Sequence, residues 1–226
     1  LPFLFHLSGG NEEQLIEIFK DIKDGDYVIS NHRNHYHALL AGIPAEELRQ
    51  RIVDGRSMFI YDRKRNFFTS AIIGGTPAIA AGIALALKRK GSSQKVWCFV
   101  GDGTEDSGHL FDAARYVYGF DLPCTFIVED NNRSVCTPKD ERWGMASYPD
   151  MPPSVMRYQY DITYPHARID AAIDLKKTQQ KTDAEYFPYL TPEKFPEFKV
   201  DQDISFKFAA TQAMTEIGNA NSVFIG

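Results

Sequence analysis

The residues best suited to chemistry in this chain follow two apolar runs. The first run, residues 96–100, leads into Gly101-Asp102-Gly103, and the second ends close to Asn131-Asn132. Short apolar runs bounded by turn-forming residues predict buried strands. The 27 residues from 104 to 130 are enough for a helix that returns the chain to a neighbouring parallel strand. Because open α/β sheets bind ligands at the carboxyl ends of such strands, we expect an acid and an amide side by side there.

These side chains favour a metal-bound anion as the ligand. Asp102 offers a hard carboxylate oxygen, and Asn131 or Asn132 offers an amide oxygen. The glycines beside Asp102 have no Cβ and therefore let a bulky anion approach the backbone. So few protein oxygens are typical of Mg²⁺ that is held mainly by a diphosphate and water. The pattern therefore predicts a site for Mg²⁺ and a diphosphate.

The elements that must position these residues alternate between strands and helices. The clearest helix covers residues 76–90, with Pro77 near its start and Gly91 just past its end. Alternation of this kind favours a mostly parallel sheet with helices packed on it. The other predicted elements are helices over residues 11–20 and 107–118, a helix opening at Pro44, and strands over residues 27–29 and 158–164.

Composition bounds the class of protein. The chain has 226 residues, of which 43% are hydrophobic, and this suits a packed globular core. A net charge of −5 gives no reason to expect nucleic-acid binding, and no apolar run approaches the length of a membrane span. Cys98 and Cys124 fall in predicted buried strands, so we expect reduced thiols in a cytoplasmic protein, or in one of the mitochondrial matrix if the source is eukaryotic.

Further motifs surround Gly101-Asp102-Gly103 in a fixed order. They are His32-Arg33-Asn34-His35, the glycine-rich helix start at residues 71–84, the strand Asp121-Leu122-Pro123-Cys124-Thr125-Phe126-Ile127 and the turn Cys136-Thr137-Pro138. Together they resemble the alpha subunit of thiamine diphosphate-dependent 2-oxoacid dehydrogenases, within the transketolase superfamily. The resemblance implies a three-layer α/β/α fold with a mostly parallel sheet, namely the diphosphate-binding domain of that superfamily, with thiamine diphosphate and Mg²⁺ as cofactors.

The same resemblance implies the metal ligands, with one choice left open. Alignment on Thr137-Pro138 makes Asp102, Asn131 and the Arg133 carbonyl the ligands. Alignment on Asn131-Asn132 instead gives Asn132 and the Ser134 carbonyl beside Asp102. We prefer Asn131 because that alignment needs no insertion.

Roles for the remaining site residues also come from the resemblance. Gly101, Gly103 and Thr104 are expected to contact the cofactor. His32 and Arg33 are expected to bind its diphosphate, with Arg33 as a bidentate fork. Ile73 is expected to pack under the bent cofactor, although an apolar residue there is also plain core. The implied catalytic residues are His35, which is equally well a buried core histidine, and His166, which is equally well a surface histidine.

The chain is predicted to have three segments. Residues 1–175 form the diphosphate-binding domain, residues 176–203 a linker, and residues 204–226 the start of a beta-type, pyrimidine-binding domain. The implied reaction is oxidative decarboxylation of a 2-oxo acid with acyl transfer to a lipoyl carrier. A beta-type half and a lipoyl-bearing acyltransferase are the implied partners. The alternatives are a transketolase-like enzyme, a non-oxidative 2-oxoacid decarboxylase, and a non-catalytic cofactor-binding subunit.

Overall fold

The computed structural model describes residues 8–134, 137–144 and 150–162. Helices within these ranges are α1 (Glu12–Phe19), α2 (His35–Leu40), α3 (Ala45–Val53), α4 (Thr76–Arg89), α5 (Asp102–Glu105), α6 (Gly108–Gly119) and α7 (Lys139–Trp143). Strands are β1 (Tyr27–Ser30), β2 (Tyr61–Asp62), β3 (Phe67–Thr69), β4 (Val96–Gly101), β5 (Cys124–Asp130), β6 (Arg133–Ser134), β7 (Thr137–Pro138) and β8 (Val155–Gln159).

A six-stranded sheet forms the centre of the described residues. Its strand order is β2-β3-β1-β4-β5-β8, and β6 and β7 form a separate two-stranded antiparallel ladder. Neighbouring strands of the large sheet are parallel, except that β2 runs antiparallel to β3. The predicted mostly parallel sheet is therefore confirmed.

Alternate residues of the central strands enter two separate cores. On β4, Val96, Cys98 and Val100 face a core built with α4 and α6, whereas Trp97 and Phe99 face a core built with α1, α2 and α3. Side chains of successive strand residues point to opposite faces, so a strand covered on both faces reads as a continuous apolar run. Helices cover both faces of the sheet, and the three-layer α/β/α arrangement is confirmed.

Sequence signals for α4 agree with its observed limits. Pro77 occupies its first turn, Lys88 and Arg89 lie in its last turn, and Gly91 follows in the left-handed region at φ 63°. Proline fits the first turn because the amide it lacks has no helical partner there. Cations in the last turn interact favourably with the negative end of the helix dipole. Its small residues Ala80 and Ala84 are fully buried in the core shared with α6, so the helices can approach closely.

Some expectations differ from the structure or fall outside it. The last strand begins at Val155 and ends at Gln159, rather than covering residues 158–164, and as an edge strand with a half-exposed pattern it carries little periodic signal. The short helices α2 and α5 were not predicted. The segment boundaries at residues 175 and 203 lie outside the described residues and stay predictions. Cys98 and Cys124 are free and buried, as expected, and burial raises the pKa of the Cys98 thiol to about 12.

Candidate functional site

The register of β4 and β5 brings the two predicted motifs to the same edge of the sheet. The strands are parallel neighbours, and Gly101 at the end of β4 pairs with Glu129 near the end of β5. Asp102 follows the first strand and Asn131 follows the second. Their juxtaposition is a consequence of parallel pairing, because both strands present their carboxyl ends to the same side.

A cleft opens at this edge of the sheet. Its walls include eight of the residues that the sequence singled out, and these are His32, Arg33, Ile73, Gly101, Asp102, Gly103, Thr104 and Arg133. Ser134 of the alternative ligand set also lines the cleft. The lining residues that were not predicted are Ser8, Asn11, Asn31, Ser70, Ile72, Thr76, Glu129 and Tyr160. Six separate stretches of chain thus converge on one concave surface with donors, acceptors and apolar side chains.

Asp102 is one of the two acidic residues that line this cleft, and it is only 1% exposed. Burial raises the pKa of the Asp102 carboxyl to about 6, against the opposing effect of the Arg142 guanidinium. Nη2 of Arg142 lies 3.1 Å from Oδ2 of Asp102, and Nε of the same arginine lies 3.2 Å from Oδ2 of Asp106. A buried carboxylate with a raised pKa gains from any further positive charge placed beside it.

The turn after β5 places the two candidate amide ligands in different environments. Asn131 is buried, its Oδ1 accepts a hydrogen bond of 3.0 Å from the Arg133 amide, and its Nδ2 donates to the Tyr160 hydroxyl at 3.3 Å. Asn132 is exposed and adopts the left-handed region at φ 61°, which asparagine tolerates better than most residues. Arg133 lines the cleft, but neither asparagine is among the lining residues. Of the two side-chain amides, that of Asn131 is buried and fixed by hydrogen bonds, whereas that of Asn132 is exposed.

Glycines 101 and 103 play different steric parts. A Cβ at Gly101 would meet no atom within 4 Å, so the cleft comes directly up to the backbone there. A Cβ at Gly103 would lie 2.8 Å from Oγ of Ser134, because β6 passes close to the start of α5. Gly101 therefore keeps space open beside the cleft, whereas Gly103 permits close packing of the turn.

The predicted diphosphate-binding residues lie in the loop between β1 and α2. Arg33 and His32 both line the cleft, and the Arg33 amide donates a 2.8 Å hydrogen bond to Oδ1 of Asn31. Two isoleucines line the same cleft, and Ile73 is 47% exposed and Ile72 70% exposed. Polar donors and apolar side chains thus line the same space.

Of the two predicted catalytic histidines, His35 is described by the structure and does not line the cleft. His35 begins α2 and is not among the lining residues, and its Nε2 is a buried atom without a hydrogen-bond partner in the described part of the chain. Burial lowers the pKa of His35, which favours its neutral form. His166 lies outside the described residues.

A buried network around Glu129 was missed by the sequence reasoning. Its Oε1 accepts from Nδ2 of Asn11 at 3.0 Å and from the Tyr158 hydroxyl at 2.7 Å, and Nε2 of His37 lies 3.1 Å away. Burial alone would raise the pKa of the Glu129 carboxyl, but the His37 ring and these hydrogen bonds outweigh it and lower the pKa. The available signal was a glutamate ending an otherwise apolar run, since a charge buried in a strand needs partners.

The helix α7 is a second feature that the sequence reasoning missed. Nζ of Lys139 lies 2.5 Å from Oδ2 of Asp130, and both side chains are 1% exposed. Arg142, one turn further along, holds Asp102. The signal was two cations three residues apart after Pro138, which puts them on one face of a helix.

Two absences bear on the chemistry within the described ranges. No three His, Cys, Asp or Glu side chains in residues 8–134, 137–144 and 150–162 are grouped so that they could hold a metal ion. Over this part of the chain, no helix has both the length and the apolar character needed to cross a bilayer.

Comparisons with known proteins agree on one family. The model of the family described as "Dehydrogenase E1 component" matches residues 2–154. The chain is 28% identical over 160 residues to the alpha subunit of acetoin:2,6-dichlorophenolindophenol oxidoreductase from Cupriavidus necator, covering 66% of this chain and 48% of that protein. It is 30% identical over 152 residues to the alpha subunit of the pyruvate dehydrogenase E1 component from Porphyra purpurea, covering 58% and 43%. The corresponding acetoin subunit of Bacillus subtilis is 29% identical over 148 residues, covering 61% and 44%. The chain thus spans less than half the length of these relatives.

Proposed function

Because this chain belongs to the dehydrogenase E1 component family, we propose that its cleft binds the diphosphate of thiamine diphosphate together with Mg²⁺. The single observation that carries this proposal is the meeting of Asp102 and Arg33 in one cleft beside an open glycine. Arg33 supplies positive charge for an anion, and Asp102 supplies negative charge for a cation. A metal diphosphate is a ligand that needs both.

The residues present fit such a ligand. The space that a Cβ of Gly101 would enter contains no protein atom, which leaves room for phosphate oxygens against the backbone. Asp102 is buried with a raised pKa, so a divalent cation would stabilise its charged form. In the described ranges no protein-only metal cluster exists, in keeping with a cation that shares its ligands with the cofactor.

Each residue then has a defined task. Asp102, Asn131 and the Arg133 carbonyl hold the cation, while Gly103 and Thr104 line the diphosphate end and His32 and Arg33 donate to its oxygens. Ile73 packs against the apolar part of the cofactor. When bound, thiamine diphosphate supplies an electron sink for decarboxylation of a 2-oxo acid. The catalytic roles of His35 and His166 remain part of the proposal, with His35 acting from outside the cleft lining.

A complete site on this proposal needs a second, pyrimidine-binding half. We infer that Glu129 does not supply the acid that activates the pyrimidine, because its Oε1 accepts from Asn11 and Tyr158 and lies 3.1 Å from Nε2 of His37, and its Oε2 accepts from Asn31 at 3.4 Å. We propose that a beta-type half provides this acid and that the acyl unit passes to a lipoyl group on a partner acyltransferase. The alpha-subunit relatives named above support a beta-type partner.

Binding of the cofactor can be tested through Asp102. Asp102→Ala should abolish Mg²⁺-dependent binding of thiamine diphosphate in calorimetric titrations, because the carboxylate holds the cation that neutralises the diphosphate. Asp112→Ala, on the exposed side of α6, is the matched control and should bind as the wild type does. Circular dichroism would show that both variants keep the fold. Unchanged affinity in the Asp102 variant would refute the proposed site.

A second candidate substrate is acetoin. Two of the similar alpha subunits belong to acetoin:2,6-dichlorophenolindophenol oxidoreductases. Assays of the chain with a beta-type partner, with pyruvate or acetoin as donor and the indophenol dye as acceptor, would separate the two. Bleaching of the dye with acetoin but not with pyruvate would identify acetoin as the substrate.

A further inference from the structure

The short helix α7 carries two cations that each grip an acid at the end of a neighbouring strand. Lys139 holds Asp130, the last residue of β5, with Nζ and Oδ2 2.5 Å apart. Arg142 holds Asp102, the residue that follows β4, at 3.1 Å. Side chains three residues apart lie on one face of a helix, so α7 presents both cations to the sheet edge together.

Several contacts attach this helix firmly to the turn after β5. The Lys139 amide donates to the Asn132 carbonyl at 3.2 Å, and the Lys139–Asp130 pair has almost no exposed surface. Gln159 on β8 also donates to Asp130, at 3.3 Å. The position of Arg142 is therefore set by the same turn that carries the candidate ligand Asn131.

Arg142 contacts Asp102 through one oxygen and has a second anchor elsewhere. Its Nη2 approaches Oδ2 of Asp102, whereas its Nε pairs at 3.2 Å with Oδ2 of Asp106, which lies four residues further along at the end of α5. A planar guanidinium fixed at two points restricts the rotation of the carboxylate that it holds. The other oxygen of Asp102 is then left at a defined position for a cation.

We propose that Arg142 is a positioning residue for the metal-binding carboxylate of Asp102, an inference that rests on the proposed function. Through α7 it links the end of β4 to the turn after β5, so that the two halves of the cation site keep a constant separation. Partners that orient a ligating carboxylate commonly change metal affinity by about 10–100-fold when removed.

If Arg142 were only a counter-ion of Asp102, its removal would change cation binding in the opposite direction. A counter-ion neutralises Asp102 and competes with a metal, so its removal should strengthen cation binding. A positioning residue should weaken binding when it is removed, even though the local negative charge rises. The direction of the change therefore distinguishes the two roles.

The test uses the 226-residue chain with saturating thiamine diphosphate and Mn²⁺ as a probe, counted by the electron paramagnetic resonance signal of the free ion. Dissociation constant and stoichiometry are measured separately, because partial unfolding lowers stoichiometry whereas mispositioning raises the constant. Arg142→Gln should raise the dissociation constant for Mn²⁺ by roughly tenfold or more at unchanged stoichiometry. Arg142→Lys, which keeps the charge but not the fork, should raise it as well.

Arg157→Gln is the matched control, since Arg157 pairs with Glu105 of the same helix α5. Its dissociation constant should stay within about threefold of the wild-type value. Tighter or unchanged Mn²⁺ binding in both Arg142 variants, with normal binding by the wild type, would overturn the positioning role alone. Failure of the wild type to bind Mn²⁺ with the cofactor would overturn the proposed function and this role together.

Discussion

At the scale of single residues, two carboxylates of the cleft experience different environments. Asp102 has a pKa raised to about 6 by burial, whereas the pKa of Glu129 is lowered by the His37 ring and several donors despite burial. The first is a charge that a cation would stabilise, and the second is a charge that the fold already satisfies. This difference supports the proposals that Asp102 binds the cation and that Glu129 has a structural role.

Replacement of each asparagine in turn by alanine should identify which amide is the metal ligand. Asn131→Ala should weaken Mg²⁺-dependent binding of thiamine diphosphate more than Asn132→Ala, because Asn131 is buried beside the strand ends while Asn132 is exposed. Calorimetric titration of both variants measures the difference. A larger loss in the Asn132 variant would favour the alternative ligand set with the Ser134 carbonyl.

Glu129→Gln should make stability depend differently on pH. A carboxyl whose pKa is lowered by folding stabilises the fold above its ordinary value of 4.5, and this contribution is lost as the pH falls through the folded-state pKa. The wild type should exceed the variant in free energy of unfolding by roughly 1–3 kcal/mol at neutral pH, since hydrogen bonds to a charged group are lost.

The pH series itself provides the control for Glu129. Urea denaturation of both proteins from neutral pH down to about pH 3 should show the difference shrinking below pH 4.5. The comparison cancels contributions from other titrating groups that the two proteins share. If the difference grew on acidification, Glu129 would not be the ionised centre of this network.

At the scale of elements, strand ends and their connecting turns create the site. Parallel pairing of β4 with β5 places Asp102 and Asn131 at one edge, and the loop before α2 brings Arg33 to the same cleft. The helix α7 then braces both strand ends. Each element contributes one or two polar side chains, and its apolar residues fix its position in the two cores.

Gly101→Ala should lower the affinity for the cofactor by filling space in the cleft, without changing the stability of the fold. Gly101 has extended backbone angles, φ −80° and ψ 164°, which any residue adopts, and its Cβ would meet no protein atom. Stability to urea should therefore change by less than about 0.5 kcal/mol. Affinity for thiamine diphosphate with Mg²⁺ should fall by roughly tenfold or more, because the methyl group takes space beside the phosphates.

Gly82→Ala in α4 is the control for this substitution. Its Cβ would also meet nothing within 4 Å, and it lies on an exposed part of the helix. It should leave binding unchanged and stabilise the fold by roughly 0.5–1 kcal/mol through the helix propensity of alanine. Equal affinities in the wild type and the Gly101 variant would place the diphosphate elsewhere.

At the scale of the whole molecule, we propose that a partner half completes the active site. The apolar residues Ile72 and Ile73 at the cleft rim are strongly exposed. An exposed apolar rim around a binding cleft is typical of a surface that a partner covers. We propose that the rim lies in an interface of about 2,000 Å² or more, as in obligate complexes.

The purified chain alone should not decarboxylate 2-oxo acids. The acid that activates the pyrimidine is expected from the beta-type half, and Glu129 is committed to its own hydrogen bonds. Activity with pyruvate or a branched-chain 2-oxo acid should appear only when a beta-type partner is added. Carbon dioxide release by the isolated chain would contradict this expectation, and a partner variant lacking its activating acid is the negative control.

Sequence alone determined the fold class and most of the cleft. Two continuous apolar runs with the right separation identify buried parallel strands, and strand geometry then dictates that residues 102 and 131 meet at one edge. Eight of the eleven site residues singled out line the cleft; Asn131 and His35 do not, and His166 lies outside the described residues. Local patterns suffice for the strands and helices because their periodicities act over short stretches of chain, whereas most of the cleft residues were predicted from the resemblance to the alpha subunits.

Tertiary structure alone decided which side chains support the site. Arg142 is 40 residues from Asp102 in the chain, Tyr158 is 29 from Glu129, and His37 is 92 from Glu129. Nothing in the local pattern of a buried acid specifies its counter-ion, because any cation that the fold brings within reach satisfies the same electrostatic need. Such pairs depend on how distant elements pack, and so they became visible only when α2, α7 and β8 were placed against the ends of β4 and β5.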